Sequence, residues 1–236
     1  MSDRTDKLEA DALLDLRCEL EQWDIASKAS ALEQCMYLFV EGESEELAFR
    51  ILLEEGLGVN FEELGIVIAN YNGIGNLKHT LRLMNLTLSH ERPMIVTFDD
   101  DNKSLIAGLG QQPDNIHLFK IPYSPVVTLP NGDVGGSFEE SFEASDFIDA
   151  LFETALFKRN PQINKQQFTA SFDSKLPFYD QTVKYLRKQN LQNYLPSKVE
   201  IAEYLATHCD PEPETYVKLA GLIRRIRSDK PIQVKI

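Results

Sequence analysis

The chain has 236 residues, 43% hydrophobic and 26% charged, which suits one globular domain with an elaboration and excludes disorder as its main state. Its 24 Lys and Arg face 37 Asp and Glu, a formal net charge of −13. That balance at first argues against a nucleic-acid binder, because such proteins draw affinity from cations on phosphates.

The charge is uneven. Residues 1–60 carry 15 acids and 5 bases, residues 61–150 carry 13 and 5, and residues 151–236 carry 9 and 14. An acidic front is joined to a basic tail. The longest apolar runs, such as Met36–Val40 and Met94–Phe98, fall far short of the roughly 18–20 residues needed to cross a bilayer. The charged Met1–Ala12 stretch lacks the apolar centre of a signal peptide, so the expected location is cytoplasmic, with no membrane partner. Cys18, Cys35 and Cys209 are far apart and form no zinc spacing, so reduced thiols are expected.

Thr5–Gln34 is expected to be a helix: Leu8, Leu13, Leu16, Leu20 and Trp23 recur at helical spacings with no Pro or Gly between them. Its apolar stripe is expected to pack on its own domain. Met36–Val40, Ile66–Ala69, Met94–Phe98 and Ile116–Ile121 then read as four short strands. Helical patterns follow the first two, at Leu47–Leu53 and from Asn76 to about Leu86. Apolar strands alternating with helices predict a parallel α/β sheet flanked by helices. The Pro- and Gly-rich stretch from Pro122 to Gly136 reads as a long loop. Helices are expected at Phe147–Lys158, Gln181–Gln189, Lys198–His208 and Glu214–Arg227, a C-terminal helical elaboration. The expected division is an N-terminal helical extension at 1–34, an α/β core at 35–150 and a basic helical region at 151–236.

In open parallel sheets, sites form beyond the carboxyl ends of the strands. The first strand delivers Glu41 there, and Glu45 follows one helical turn on. The third delivers Asp99 and Asp101, two apart and so on one side of the pleat. A Glu at a helix start also favours the helix dipole, and Asp-Asp-Asp-Asn also suits a turn. Their joint placement points further. Several carboxylates in one crevice stay ionised only beside a compensating cation. Their hard oxygen ligands select Mg²⁺ or Mn²⁺.

Leu38-Phe39-Val40-Glu41-Gly42, with Glu45 completing E-G-x-x-E, and Ile95-Val96-Thr97-Phe98-Asp99-Asp100-Asp101 resemble the TOPRIM domain. The pattern is most similar to the OLD (overcoming lysogenization defect) nucleases. The Gly73-Ile74-Gly75-Asn76 turn resembles that family's glycine turn. Ser137-Phe138-Glu139-Glu140-Ser141-Phe142 resembles its later acidic element, and Pro196-Ser197-Lys198 resembles the segment that places a lysine near the site.

The resemblance implies a TOPRIM-like fold and a metal-dependent DNA endonuclease. Metal ligation would fall to Glu41, Glu45, Asp99, Asp101 and Glu139, with Glu140 the weaker candidate beside Glu139. Catalytic roles would fall to Glu41, Asp99, Asp101 and Lys198, the last as a phosphate clamp. One or two Mg²⁺ or Mn²⁺ ions would activate water and stabilise the leaving 3′ oxygen. Lys198, Arg224, Arg225 and Arg227 are the expected nucleic-acid contacts. The chain departs from full OLD proteins in having no GxxxxGK[ST] motif and no room for an ATPase. A separate ATPase or DNA-loading partner is therefore expected, in a bacterial or phage-related defence setting, with self-association left open. Two rival readings are a catalytically silent TOPRIM binding subunit docking through Thr5–Gln34, and a nucleotide phosphohydrolase.

Overall fold

The computed structural model describes residues 2–87, 92–101, 106–210 and 213–234. Four strands, β1 (Met36–Val40), β2 (Ile66–Asn70), β3 (Met94–Asp99) and β4 (Ile116–Ile121), form a parallel sheet in the order β2-β1-β3-β4. The register pairs Val40 with Asn70, Phe39 with Val96, and Asp99 with Ile121. The carboxyl ends of the two central strands, β1 and β3, therefore lie side by side.

Both faces of the sheet are covered, which is why its strands read as unbroken apolar runs. Met36, Leu38, Val40 and Ile95 point into the larger core. Their neighbours Phe39, Met94 and Val96 point the other way, onto Leu77 and Leu81 of α3 (Ile74–Thr87). On the larger side lies α2 (Glu43–Arg50), extended by a π-helical stretch at Ile51–Gly56. The C-terminal helices share that core: α4 (Ala144–Glu153), α5 (Ala155–Arg159), α6 (Lys165–Ser171), α7 (Phe178–Lys188), α8 (Lys198–His208) and α9 (Pro213–Asp229). Helix α8 packs on both α2 and α4. Tyr216 of α9 is fully buried, edge-on to Phe49 of α2 with ring centroids 5.5 Å apart. The tail is thereby held against the helix that carries Glu45.

Three local features differ from expectation. The helix expected at Phe147–Lys158 is divided at Thr154, which is extended (φ −61°, ψ 147°). Its hydroxyl donates to the Leu151 carbonyl, and Glu200 of α8 accepts from the first N–H of α5, on Ala155. Within the stretch read as loop, β5 (Val127–Thr128) and β6 (Val134–Gly135) pair as an antiparallel ribbon. Helix α6 also went unread; Asn164 caps it by accepting from Gln167 N–H.

The N-terminal helix, α1 (Ser2–Glu33), forms as expected. Leu20 and Trp23, the described part of its stripe, are not buried on the domain as expected. They are 60% and 53% exposed, and among the described side chains of the helix only Ser30 and Ala31 are buried. Leu8, Leu13 and Leu16 lie outside the residues whose side chains are described. Among the described residues no helix is long and apolar enough to cross a membrane.

Candidate metal and phosphate site

Glu41 leaves the end of β1 and joins two neighbouring elements. One carboxylate oxygen accepts from Ile74 N–H at 3.1 Å, at the start of α3, and the other from Asp99 N–H at 3.4 Å, at the end of β3. The turn between β2 and α3 makes the first contact available. Gly73 adopts φ +93°, which glycine tolerates, and its N–H donates to the Glu41 carbonyl at 2.8 Å. Of the two glycines in that motif only Gly73 forms the turn; Gly75 is already inside α3.

Asp99 is buried, and its Oδ1 accepts from Phe138 N–H at 3.0 Å. Asp100 turns away, 3.4 Å from Nζ of Lys120 on β4. The alternation expected of an extended segment thus separates Asp99 from Asp100. A short 3₁₀ helix at Phe138–Ser141 brings Glu139 and Glu140 in. The two acids have different work. Glu139 is buried, with Oε1 3.0 Å from Lys198 Nζ at the start of α8. Glu140 is committed to backbone: one oxygen accepts from Phe178 N–H at the start of α7 and the other from Ser137 N–H, both at 2.6 Å. The Ser137 hydroxyl lies 2.6 Å from both carboxylates, so its single proton serves one at a time.

The electrostatics show how closely these groups are associated. Burial, then repulsion from Glu45, Glu41 and Glu139, pushes the Asp99 carboxyl well above the usual range. Burial, with repulsion from Glu139 and Glu41, pushes Glu45 up to about 7. Asp101 is raised by burial and by Glu41. Burial would raise Glu139 too, but Lys198 and the Ser137 hydroxyl outweigh it and hold Glu139 below its ordinary value. Burial would lower Lys198, but its pairing with Glu139 outweighs that and the ammonium is held more firmly than usual. Tyr71, whose hydroxyl donates to the Thr97 carbonyl at 2.9 Å, is raised by burial and by the same carboxylates.

Glu41, Glu45, Asp99, Asp101, Glu139 and Lys198 therefore share one neighbourhood, where carboxylates outnumber the ammonium. All-oxygen donors in surplus negative charge have the chemistry of a site for a hard divalent cation. Among the described residues, however, no three His, Cys, Asp or Glu side chains stand in an arrangement ready to hold a metal. The donor set has the chemistry that suits such an ion without the spacing of a formed site. Beside Asp99 and Asp101 opens a cleft of about 330 Å³, lined also by Asn131, Ser137, Tyr179 and Lys198.

The three arginines expected to help hold nucleic acid are not brought to this cleft. Arg227 is buried and donates to the carbonyls of Leu64, Gln34 and Gly65, just before β1 and β2. That is the opposite end of the strands, and these bonds make the buried Arg227 a structural tie. Arg224 donates to the Leu57 carbonyl, and Arg225 acts on His117 near the start of β4. Tyr179 and Gly135 were not singled out from sequence, and Ser137 only as the first residue of the acidic element. Gly135 packs so closely that a Cβ there would lie 1.9 Å from the Asp100 carbonyl oxygen.

Residues 36–101 match the family described as overcoming lysogenization defect protein-like, TOPRIM domain. The chain thus carries an OLD-like TOPRIM domain over that span. Two solved structures share the wider fold. The C-terminal region of the Burkholderia pseudomallei OLD protein aligns at 16% identity over 80% of this chain and 96% of its own, with a TM-score of 0.52. The C-terminal region of the Xanthomonas campestris pv. campestris OLD protein aligns at 16% identity over 82% and 96%, with a TM-score of 0.50. No curated protein matches the chain.

Proposed function

We propose that this protein is a divalent-metal-dependent DNA endonuclease. The observation that carries the reading is the carboxylate cluster at the ends of β1 and β3, with Lys198 as its counter-cation. Glu41, Glu45, Asp99, Asp101 and Glu139 would hold Mg²⁺ or Mn²⁺. When bound, such ions lower the pKa of water and neutralise charge developing on a phosphodiester. Glu41 supports the geometry: tied to the starts of α3 and the Asp99 backbone, it fixes the two central strand ends relative to each other. Glu140 acts as a brace, holding the 3₁₀ turn against α7 so that Glu139 faces the site. Lys198 would meet a phosphate oxygen from the cleft side.

The net charge of −13 makes tight, independent DNA binding unfavourable. With the arginine edge of α9 remote from the cleft, a separate ATPase or other DNA-loading partner is the proposed source of affinity. A bacterial defence complex is the proposed setting.

The test is cleavage of supercoiled plasmid by the purified full chain with Mg²⁺ or Mn²⁺. Glu41→Ala is expected to abolish nicking, and unchanged nicking overturns the assignment. Hydrolysis of nucleotides with no cut in plasmid selects the phosphohydrolase reading. The Lys198–Glu139 pair favours one further alternative, a TOPRIM subunit that binds partners but no metal, and calorimetry without Mg²⁺ or Mn²⁺ binding selects it.

A further inference from the structure

Lys198 is half exposed, and a free lysine there would sweep a wide arc. Tyr179, on the first turn of α7, restricts it in two ways. Its hydroxyl donates to the Pro196 carbonyl at 2.9 Å, fixing the chain that leads through Ser197 into α8. Its ring centroid lies 4.8 Å from Lys198 Nζ. The same side chain therefore anchors both the backbone that carries Lys198 and the ammonium at its tip.

We infer that Tyr179 is a positioning residue that holds the Lys198 ammonium at the mouth of the cleft. The ring suits this task because it is uncharged. Glu139, the other partner of Lys198, neutralises the ammonium while it holds it. With a cation held among the carboxylates, Glu139 would be drawn toward it and away from the ammonium. The ring face then orients Lys198 through cation–π attraction without cancelling the charge that a phosphate must feel. This function rests on the endonuclease reading; the positioning itself does not.

Two measurements on the full chain separate them. Without metal, reductive methylation mapped by mass spectrometry reads the reactivity of Lys198 against the exposed Lys175. Tyr179→Leu is expected to raise labelling of Lys198 by about threefold or more, with Lys175 unchanged, as a cation–π contact of ordinary strength is lost. Equal labelling in Tyr179→Leu and wild type overturns the inference whether or not the protein cuts DNA. In plasmid cleavage, Tyr179→Leu is expected to lower kcat about three- to tenfold with KM little changed. It is expected to add no further loss when Lys198 is already alanine. A further loss there of the same size shows that Tyr179 acts independently of Lys198 and overturns the inference. Tyr179→Phe keeps the ring and is expected to retain most of the protection. Should Tyr179→Leu fail to fold by circular dichroism, loss of the Pro196 contact in Tyr179→Phe is read by the same labelling, and no change there overturns the backbone half. If wild type leaves plasmid intact, the endonuclease reading fails and the labelling still decides.

Discussion

Lys198 Nζ lies 3.0 Å from Oε1 of Glu139, an ion pair between a half-exposed lysine and a buried glutamate. It ties the start of α8 to the acidic turn beside the ends of β1 and β3. One basic residue from the C-terminal region thus balances part of a carboxylate cluster built by the sheet.

Removing Lys198 leaves the buried Glu139 without its main counter-charge. Lys198→Ala is expected to cost about 1–2 kcal/mol by urea denaturation, less than a fully buried pair because the lysine is half in water. The double variant Lys198→Ala/Glu139→Gln is expected to be more stable than Lys198→Ala alone, since a neutral amide tolerates burial. A double variant weaker than either single one contradicts the pairing argument.

The pH dependence has a definite sign. Glu45 is pushed from an ordinary value near 4.5 to about 7, and Asp99 is raised as well. A carboxyl that holds its proton more tightly when folded contributes stability below its unfolded pKa, and this is lost as pH rises through the folded one. Without divalent ions, Tm is therefore expected to fall between pH 5 and 7.5, and the fall should shrink in Glu45→Gln. Glu139, held below its ordinary value, acts oppositely but only in more acidic solution. Added Mg²⁺ or Mn²⁺ competes with protons for the same oxygens. It is expected to raise Tm more at pH 7.5 than at pH 5. An equal rise at both would place the ion elsewhere.

Gly135 sets a steric condition on the same site. Its position is incompatible with a Cβ, which would meet the Asp100 carbonyl oxygen at 1.9 Å and the Leu129 side chain at 3.1 Å. Gly135→Ala must push the β5–β6 ribbon off the Asp99–Asp101 segment or displace the segment itself. A loss of about 1–3 kcal/mol is expected, as for other overpacked sites. Divalent-dependent stabilisation should fall with it. Gly132→Ala, in the same loop but with nothing within 4 Å of its Cβ, serves as the comparison, its cost limited to the positive φ of 86°.

How much of this was legible in the sequence depends on distance along the chain. Strands buried on both faces write apolar runs, so β1 to β4 could be read, and the residues just after β1 and β3 followed from topology alone. Lys198 could be placed only by resemblance, because nothing local marks a helix-start lysine as belonging to a site. Gly135 and Tyr179 carry no local signal at all: their importance lies in contacts with Asp100 and Lys198, formed only once the chain folds. The same holds for Glu139 against Glu140. Adjacent and chemically alike, they are separated by Lys198 and by Phe178 N–H, both far along the chain. At α9, composition reads Arg224, Arg225 and Arg227 as one basic patch, and it does not show that Arg227 is buried while the other two are exposed.

Those three arginines give the last prediction. Arg227 is buried, and its guanidinium accounts for the carbonyls of Leu64, Gln34 and Gly65. Arg227→Ala removes this donor from the Leu64 and Gln34 carbonyls, while the Gly65 carbonyl keeps Met36 N–H at 2.9 Å, and it is expected to cost about 1–3 kcal/mol. Arg225→Ala removes an exposed side chain and is expected to stay within about 0.5 kcal/mol of wild type. Arg224→Ala loses one exposed bond to the Leu57 carbonyl and should fall near it. The length of the strands separates Arg227 from the cleft, since β1 rises by roughly 3.3 Å per residue from its start beside Gln34 to Glu41, and neither Arg224, bonded at Leu57, nor Arg225 lines the cleft. Cleavage per folded molecule should therefore be nearly unchanged in each, while Lys198→Ala lowers it strongly. Loss of cleavage in Arg225→Ala, with stability intact, would bring this remote edge into contact with DNA and restore it to the binding surface.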